Sequence, residues 1–189
     1  DVASTKAVIC EHAARTWPAP LRFVGSHPMA GSEKFGPEHS SPALYEGCYT
    51  IIDTNPAASE ARAEITALWE AVGSNVVAMD PARHDALVAR TSHIPHIAAG
   101  CIARLAAAGG EVRPLVGTGF RDVTRVAAGR PELWRDICLT NRAAIAEGIE
   151  ALEQDLAEVR RMVAEGDAGA LDAFFAQAQE ARERALGES

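Results

Sequence analysis

Over the first eighty residues apolar positions come in short runs; beyond that they return at intervals of three and four. Residues 4–15 place Ala7, Val8, Cys10, Ala13 and Ala14 on one helical surface, with Ser4 or Thr5 positioned to cap it. A compact apolar run at 21–25 predicts a buried strand, ending in Gly25, Ser26, His27 and Pro28. A loop rich in Gly, Pro, Ser and His follows over 26–44, and Tyr49–Asp53 is a second strand. Asn55 and Pro56 suit the cap and first position of a helix. In it Ala61, Ile65, Leu68, Trp69 and Val72 repeat at helical spacing up to Gly73. Asn75–Met79 is a third strand, so 49–79 reads strand–helix–strand, the unit that builds parallel or mixed sheets covered by helices.

From Asp80 onward the pattern is helical only. Asp80 and Pro81 open a helix that runs to about 108, with a kink expected at Pro95, where a backbone donor is missing. Gly109 and Gly110 end it, and 117–129 is punctuated by glycines around one short amphipathic piece. Pro131 opens the longest helix. Leu133, Ile137, Ile145, Ile149, Leu152, Leu156, Val159 and Val163 keep one stripe to Gly166, on the order of 50 Å of helix. Such a stripe exceeds what one subunit covers and predicts a twofold partner. A last helix from Asp167 to about Leu186 carries Leu171, Phe174 and Phe175. The expected fold class is α/β plus all-α, a three-stranded part over 1–80 and a helical part over 81–189.

Composition narrows the function classes. A formal net charge of −8 over 189 residues, with no basic stripe, argues against a general nucleic-acid binder. No apolar run approaches the roughly 20 residues that span a bilayer, and residues 1–6 lack a signal-peptide pattern. Cys10, Cys48, Cys101 and Cys138 are scattered with no Cys-x-x-Cys pair, which reads as reduced thiols in a cytoplasmic protein.

Three places concentrate chemistry. His27, delivered by the first strand and followed by Pro28 and Gly31, suits a general base at the lip of a sheet, where open α/β folds keep ligands; a histidine that merely ends a strand is the plainer alternative. Thr91-Ser92-His93-Ile94-Pro95-His96 sets two imidazoles three apart at the helix kink. With His84 these could form a metal site, although no His-Glu-x-x-His occurs and a polar kink lining a cavity fits better. Phe120-Arg121-Asp122-Val123-Thr124-Arg125 offers guanidinium groups able to clamp a carboxylate, or else an ordinary surface ion pair.

Taken in order, Asp1, Ser4 and Lys6, then Ser-His-Pro-Met-Ala-Gly-Ser-Glu (26–33), Ser-His-x-Pro-His (92–96), Gly-Phe-Arg-Asp-x-Thr-Arg (119–125) and Leu-Trp-x-Asp-Ile (133–137) form a series that resembles the prephenate and arogenate dehydrogenases of tyrosine biosynthesis. The resemblance implies a partial Rossmann-like sheet followed by a helical dimerisation domain. It also implies NAD- or NADP-dependent oxidative decarboxylation of prephenate or arogenate by a homodimer. By the same resemblance His27 is the catalytic base, Ser4 orients it, and both face the nicotinamide. His96 is the second active-site histidine, with Ser92 and His93 beside it. Arg125 binds a substrate carboxylate, Glu33 and Asp122 belong to an ionic network at the pocket mouth, and Trp134 reaches the pocket of the neighbouring subunit.

One departure stands out. The Gly-x-Gly-x-x-Gly fingerprint is missing, and the comparable stretch, Gly117-Thr118-Gly119-Phe120, lies among helices. In family terms Asp1 falls just after the fifth strand, so the expectation is a fragment without the pyrophosphate site. Two other readings remain: an inert helical dimerisation module, and a hydrolase with a metal on His84, His93 and His96.

Overall fold

The computed structural model describes residues 1–19, 22–30 and 36–187. It resolves into two compact units, Asp1–Ala146 and Glu147–Ser189.

In the first unit β1 (Ser26–Pro28), β2 (Tyr49–Asp53) and β3 (Asn75–Met79) make one mixed sheet in the order β1-β2-β3. The parallel pair β2–β3 is joined by α2 (Ser59–Ala71), as strand–helix–strand spacing requires. Asn55 starts this connection by accepting a hydrogen bond from the Ala57 amide, over a 3-10 turn at Pro56–Ala58. Gly73, at φ +85°, turns the chain back towards β3 in a conformation that only glycine adopts without strain. Val24, Ile52, Ala58, Ala61 and Trp69 form the core between α2 and the sheet. Each large aliphatic there contributes about 1.5–3 kcal/mol by leaving water. Tyr45 meets Trp69 edge to face with ring centres 5.1 Å apart.

The first strand departs from expectation. Val24 is buried and the Gly25 carbonyl accepts from the Asp53 amide, so the chain is already extended there. The ladder itself pairs Ser26 with Ile52, His27 with Ile51 and Pro28 with Thr50, antiparallel. His27 therefore sits inside the strand rather than beyond its end. Register comes from pairing with β2, which an apolar run does not encode.

α1 (Ala7–Thr16) begins later than predicted, and neither Ser4 nor Thr5 caps it. Thr5 donates instead to the Thr140 hydroxyl at 2.9 Å. Asp80 does cap α3 (Pro81–Val88), accepting from the Arg83 amide. Between α3 and α4 (Ile94–Ala107) lies a π-helical segment, Ala89–His93. The expected bend at Pro95 is thus accommodated by a widened turn just before it, as π-bulges at functional sites often are. α5 (Thr118–Thr124) and a 3-10 segment, Arg125–Ala128, pack on α4. The single helix expected from Pro131 is broken into α6 (Pro131–Thr140) and α7 (Arg142–Glu165), with Asn141 at φ −121° and ψ 38° between them.

The second unit holds the rest of α7 and α8 (Ala168–Leu186). Asp167 caps α8 through the Ala170 amide. Phe174 and Phe175 meet edge to face at 5.3 Å. Among the described residues no helix is long and apolar enough to cross a membrane.

Candidate functional site

The site grows from one carboxylate. Asp85, on the second turn of α3, is buried together with its neighbour His84. Its Oδ1 accepts from the Lys6 amide at 2.8 Å and its Oδ2 from the Ala7 amide at 2.9 Å. A side chain from another helix thus satisfies the orphan donors of α1, and its charge suits that helix end. The same Oδ1 lies 2.7 Å from His84 Nδ1. Burial pushes the Asp85 pKa up, but His84 and the two backbone amides outweigh it and leave the group below its ordinary value.

From His84 the line continues to His27. His84 Nε2 lies 2.9 Å from His27 Nδ1, with the rings edge to face. Burial and the adjoining His84 lower the His27 pKa to about 4. His27 is therefore a neutral imidazole at neutral pH, with one nitrogen held by His84 and the other turned away from it.

A second line leaves the same residue. The Asp85 carbonyl accepts from Asn141 Nδ2 at 2.8 Å, and that nitrogen also lies 3.2 Å from His93 Nδ1. Asn141 lies at the break between α6 and α7, and its amide points inward. Burial holds the His93 pKa at about 4. Its ring meets Trp134 edge to face at 6.2 Å, while His96 stacks flat on Trp134 with centres 3.3 Å apart. Burial also lowers His96. Gly129 closes this stack from below: a Cβ there would lie 2.5 Å from Trp134 Nε1 and 2.9 Å from His96 Cε1.

Beneath β1, Lys6 is fully buried and paired with the Asp1 carboxylate. Desolvation draws its pKa down to about 8 despite the nearby Cys10, Asp85 and Asp53, which oppose the shift. Asp53 Oδ2 accepts from the Gly25 amide at 2.5 Å and from Cys10 Sγ at 3.7 Å. Burial and Asp53 raise the Cys10 thiol to about 11, which marks it as unreactive packing.

Comparison with known proteins identifies the family. A family model for the prephenate dehydrogenase dimerization domain matches residues 80–177, and the model for the prephenate dehydrogenase nucleotide-binding domain matches 1–78. The chain belongs to the prephenate dehydrogenase family. It is 32% identical over 188 residues to prephenate dehydrogenase of Bacillus subtilis, covering 97% of this chain and 51% of the relative. It is 34% identical over 167 residues to cyclohexadienyl dehydrogenase of Zymomonas mobilis, covering 85% and 57%. Among solved structures, Synechocystis arogenate dehydrogenase superposes with a TM-score of 0.84 at 26% identity, over 97% of this chain and 68% of that one. Prephenate dehydrogenase of Aquifex aeolicus, in complex with hydroxyphenyl propionate and NAD+, gives 0.88 at 28% identity, over 96% and 64%. The chain spans about half the length of the curated prephenate dehydrogenases it matches.

Within this family member the structure gathers His27, His93, His96 and Trp134 around Asp85 and Asn141. Trp134 stacks on His96 of its own chain. Ser92 is half-buried in the π-helical segment, and Ser4 is half-buried in the turn before α1. Arg125 and Asp122 are exposed on the segment packed against α4. Glu33 lies outside the described residues. Among the described residues no group of three or more His, Cys, Asp or Glu is disposed to hold a metal ion. His84 and His93 have ring nitrogens engaged by His27, Asp85 and Asn141.

Sequence reasoning missed Asp85, Asn141 and Gly129, and considered His84 only as a metal ligand. One signal was available. Asn141 falls between Ile137 and Ile145 on the apolar stripe, and a polar group at a buried stripe position requires a hydrogen-bond partner.

Proposed function

We propose that this chain serves in the oxidative decarboxylation of prephenate or arogenate, with hydride transfer to NAD or NADP, in tyrosine biosynthesis. The observation that carries the reading is His27, neutral at neutral pH and held from behind by His84 and Asp85. His27 accepts the proton of the ring hydroxyl as hydride departs from the same carbon. The bond to the ring carboxylate then breaks, its electron pair enters the ring, and carbon dioxide leaves with an aromatic product. The nicotinamide, when bound, supplies the hydride acceptor. A base of pKa about 4 suffices, because hydride loss turns the hydroxyl into a developing protonated carbonyl, a far stronger acid than an alcohol. Aromatisation drives the step, and the chain's contribution is positioning and polarisation.

The other assignments follow the family pattern. Arg125 clamps a substrate carboxylate, Ser92, His93 and His96 line the pocket, Trp134 reaches the pocket of the neighbouring subunit, and Glu33 and Asp122 form an ionic network at the pocket mouth. Ser4 and His27 face the nicotinamide. The residues in hand fit only that end of the cofactor. The Lys6 and Ala7 amides, which a helix N-terminus could offer to a phosphate, are already taken by Asp85, and the Gly-x-Gly-x-x-Gly fingerprint is absent from the sequence. A division near residue 80 into nucleotide-binding and helical dimerisation parts, with a homodimer through the latter, is supported by the ranges of the two family models.

The test is turnover with prephenate and with arogenate, each with NAD and NADP, following reduced nicotinamide and released carbon dioxide. His27→Asn should lower kcat by roughly 10²–10⁴ with the far-UV spectrum unchanged. A variant within a factor of two of the parent removes His27 from the chemistry. The occupied α1 amides favour a second reading, an inert dimerisation module; a chain that dimerises yet turns over no substrate–cofactor pair is that module.

A further inference from the structure

Every hydrogen-bonded histidine at the site traces back to Asp85, and the two branches leave it with opposite polarity. The carboxylate can only accept: Oδ1 and Oδ2 already take the Lys6 and Ala7 amides, and Oδ1 also meets His84 Nδ1 at 2.7 Å. His84 Nδ1 must therefore carry the proton. With the ring's single proton held on Nδ1 by Asp85, His84 Nε2 is a lone pair, and a lone pair facing His27 Nδ1 at 2.9 Å places a proton on His27 Nδ1. His27 Nε2 is then unprotonated.

The other branch starts from the Asp85 carbonyl, also an acceptor only. Within 2.8 Å of it, the Asn141 amide group must present nitrogen rather than oxygen, which settles the orientation of that side chain. The same nitrogen reaches His93 Nδ1 at 3.2 Å and donates its second hydrogen there. His93 Nδ1 is thus an acceptor, and neutral His93 carries its proton on Nε2.

We propose that Asp85 is a positioning residue that dictates the tautomers of three histidines, so that His27 presents a bare Nε2 able to accept a proton and His93 presents an Nε2–H able to donate a hydrogen bond. A substrate hydroxyl is recognised by such a pair through its two roles, giving its proton to one ring and receiving a hydrogen bond from the other. Asp85 reaches both rings through intermediaries, His84 on one side and Asn141 on the other. Its carboxylate also pins the start of α1, so the helix beside Ser4 and the tautomer of His27 depend on the same group. The catalytic consequence rests on the proposed role of His27 as base; the tautomers themselves do not.

Nitrogen-15 NMR of the histidine-labelled chain, without substrate or cofactor, reads them directly near pH 7. His27 and His84 should show a protonated Nδ1 and a pyridine-like Nε2, and His93 the reverse. The exposed His12 and His39 serve as references for freely exchanging rings. In His84→Leu, His27 should lose its fixed tautomer and exchange like the references, while His84→Gln, which keeps an acceptor oxygen, should restore it. Asn141→Leu should release His93 and leave His27 unchanged. Should wild-type His27 show a protonated Nε2, or His93 a protonated Nδ1, the proposal is overturned without use of any variant. An inactive chain that shows the expected tautomers retains this inference and loses only the assignment of His27 as base.

Discussion

The two compact units bury different things. In Asp1–Ala146, Lys6, His84, Asp85, His93 and Asn141 are all withdrawn from water, and each has a named hydrogen-bond or ion-pair partner. In Glu147–Ser189 large apolar side chains stand open: Leu156 is 59% exposed, Val163 62% and Phe175 62%. Burying so many polar groups costs free energy that packing alone does not return, and such networks persist where they fix the geometry of a site. An open apolar stripe costs free energy in the opposite sense, and a second copy of the same surface removes it. Among the described residues the buried polar network is confined to the first unit, while apolar side chains stand open in both, Leu105 and Leu115 in the first among them.

If the second unit carries the proposed homodimer contact, breaking it should have the largest effect. Leu156→Asp with Val163→Asp should convert a dimer into monomer or aggregate, read by sedimentation. A stable dimer in the double variant would place the interface elsewhere. Arg125→Ala tests the proposed carboxylate clamp in the first unit. Loss of a charge-assisted carboxylate contact should cost about 1.5–3 kcal/mol, seen as a higher KM with cofactor affinity intact. Equal weakening of both would mean that the segment around Arg125 has collapsed.

Gly129→Ala sharpens the contrast at a smaller scale. The added Cβ would press on Trp134 and His96, and overpacking of this kind costs about 1–3 kcal/mol. A lowered melting temperature with altered indole fluorescence is expected; an unchanged melt would show that the stack shifts freely. A reversible perturbation is pH. His27 and His93 are held near 4 in the fold, below the ordinary 6.5, so the unfolded chain takes up their protons first. Stability should therefore fall as pH drops from about 6.5 to about 4. Asp85, depressed in the fold, adds a further loss below its ordinary carboxylate value. Urea titrations across this range should show the slope in the parent and a shallower one in His27→Asn.

Much of this was legible beforehand where the signal is local. The family motifs grouped His27, His93 and His96. They gave no reason to connect Asn141 to this group, and His84 entered only as a possible metal ligand. The stripe from Ile137 to Ile145 looked continuous, and only the inward turn of Asn141 shows why it breaks. The strand carrying His27 was misplaced because its apolar run marks burial of Val24, while its ladder is set by β2.

By itself the chain determined those elements whose start, stop and period are written within a turn or two. Asn55 and Asp80 cap through amides two and three residues away, Gly73 supplies its own left-handed turn, and β2 and β3 declare themselves by composition. Tertiary structure decided the rest. The cap of α1 comes from Asp85, 79 residues from Lys6, and the partner of His27 is His84, 57 residues on. A backbone amide or an imidazole accepts any suitable partner that packing brings within 3 Å, so the choice among distant acceptors exists only once the helices have met.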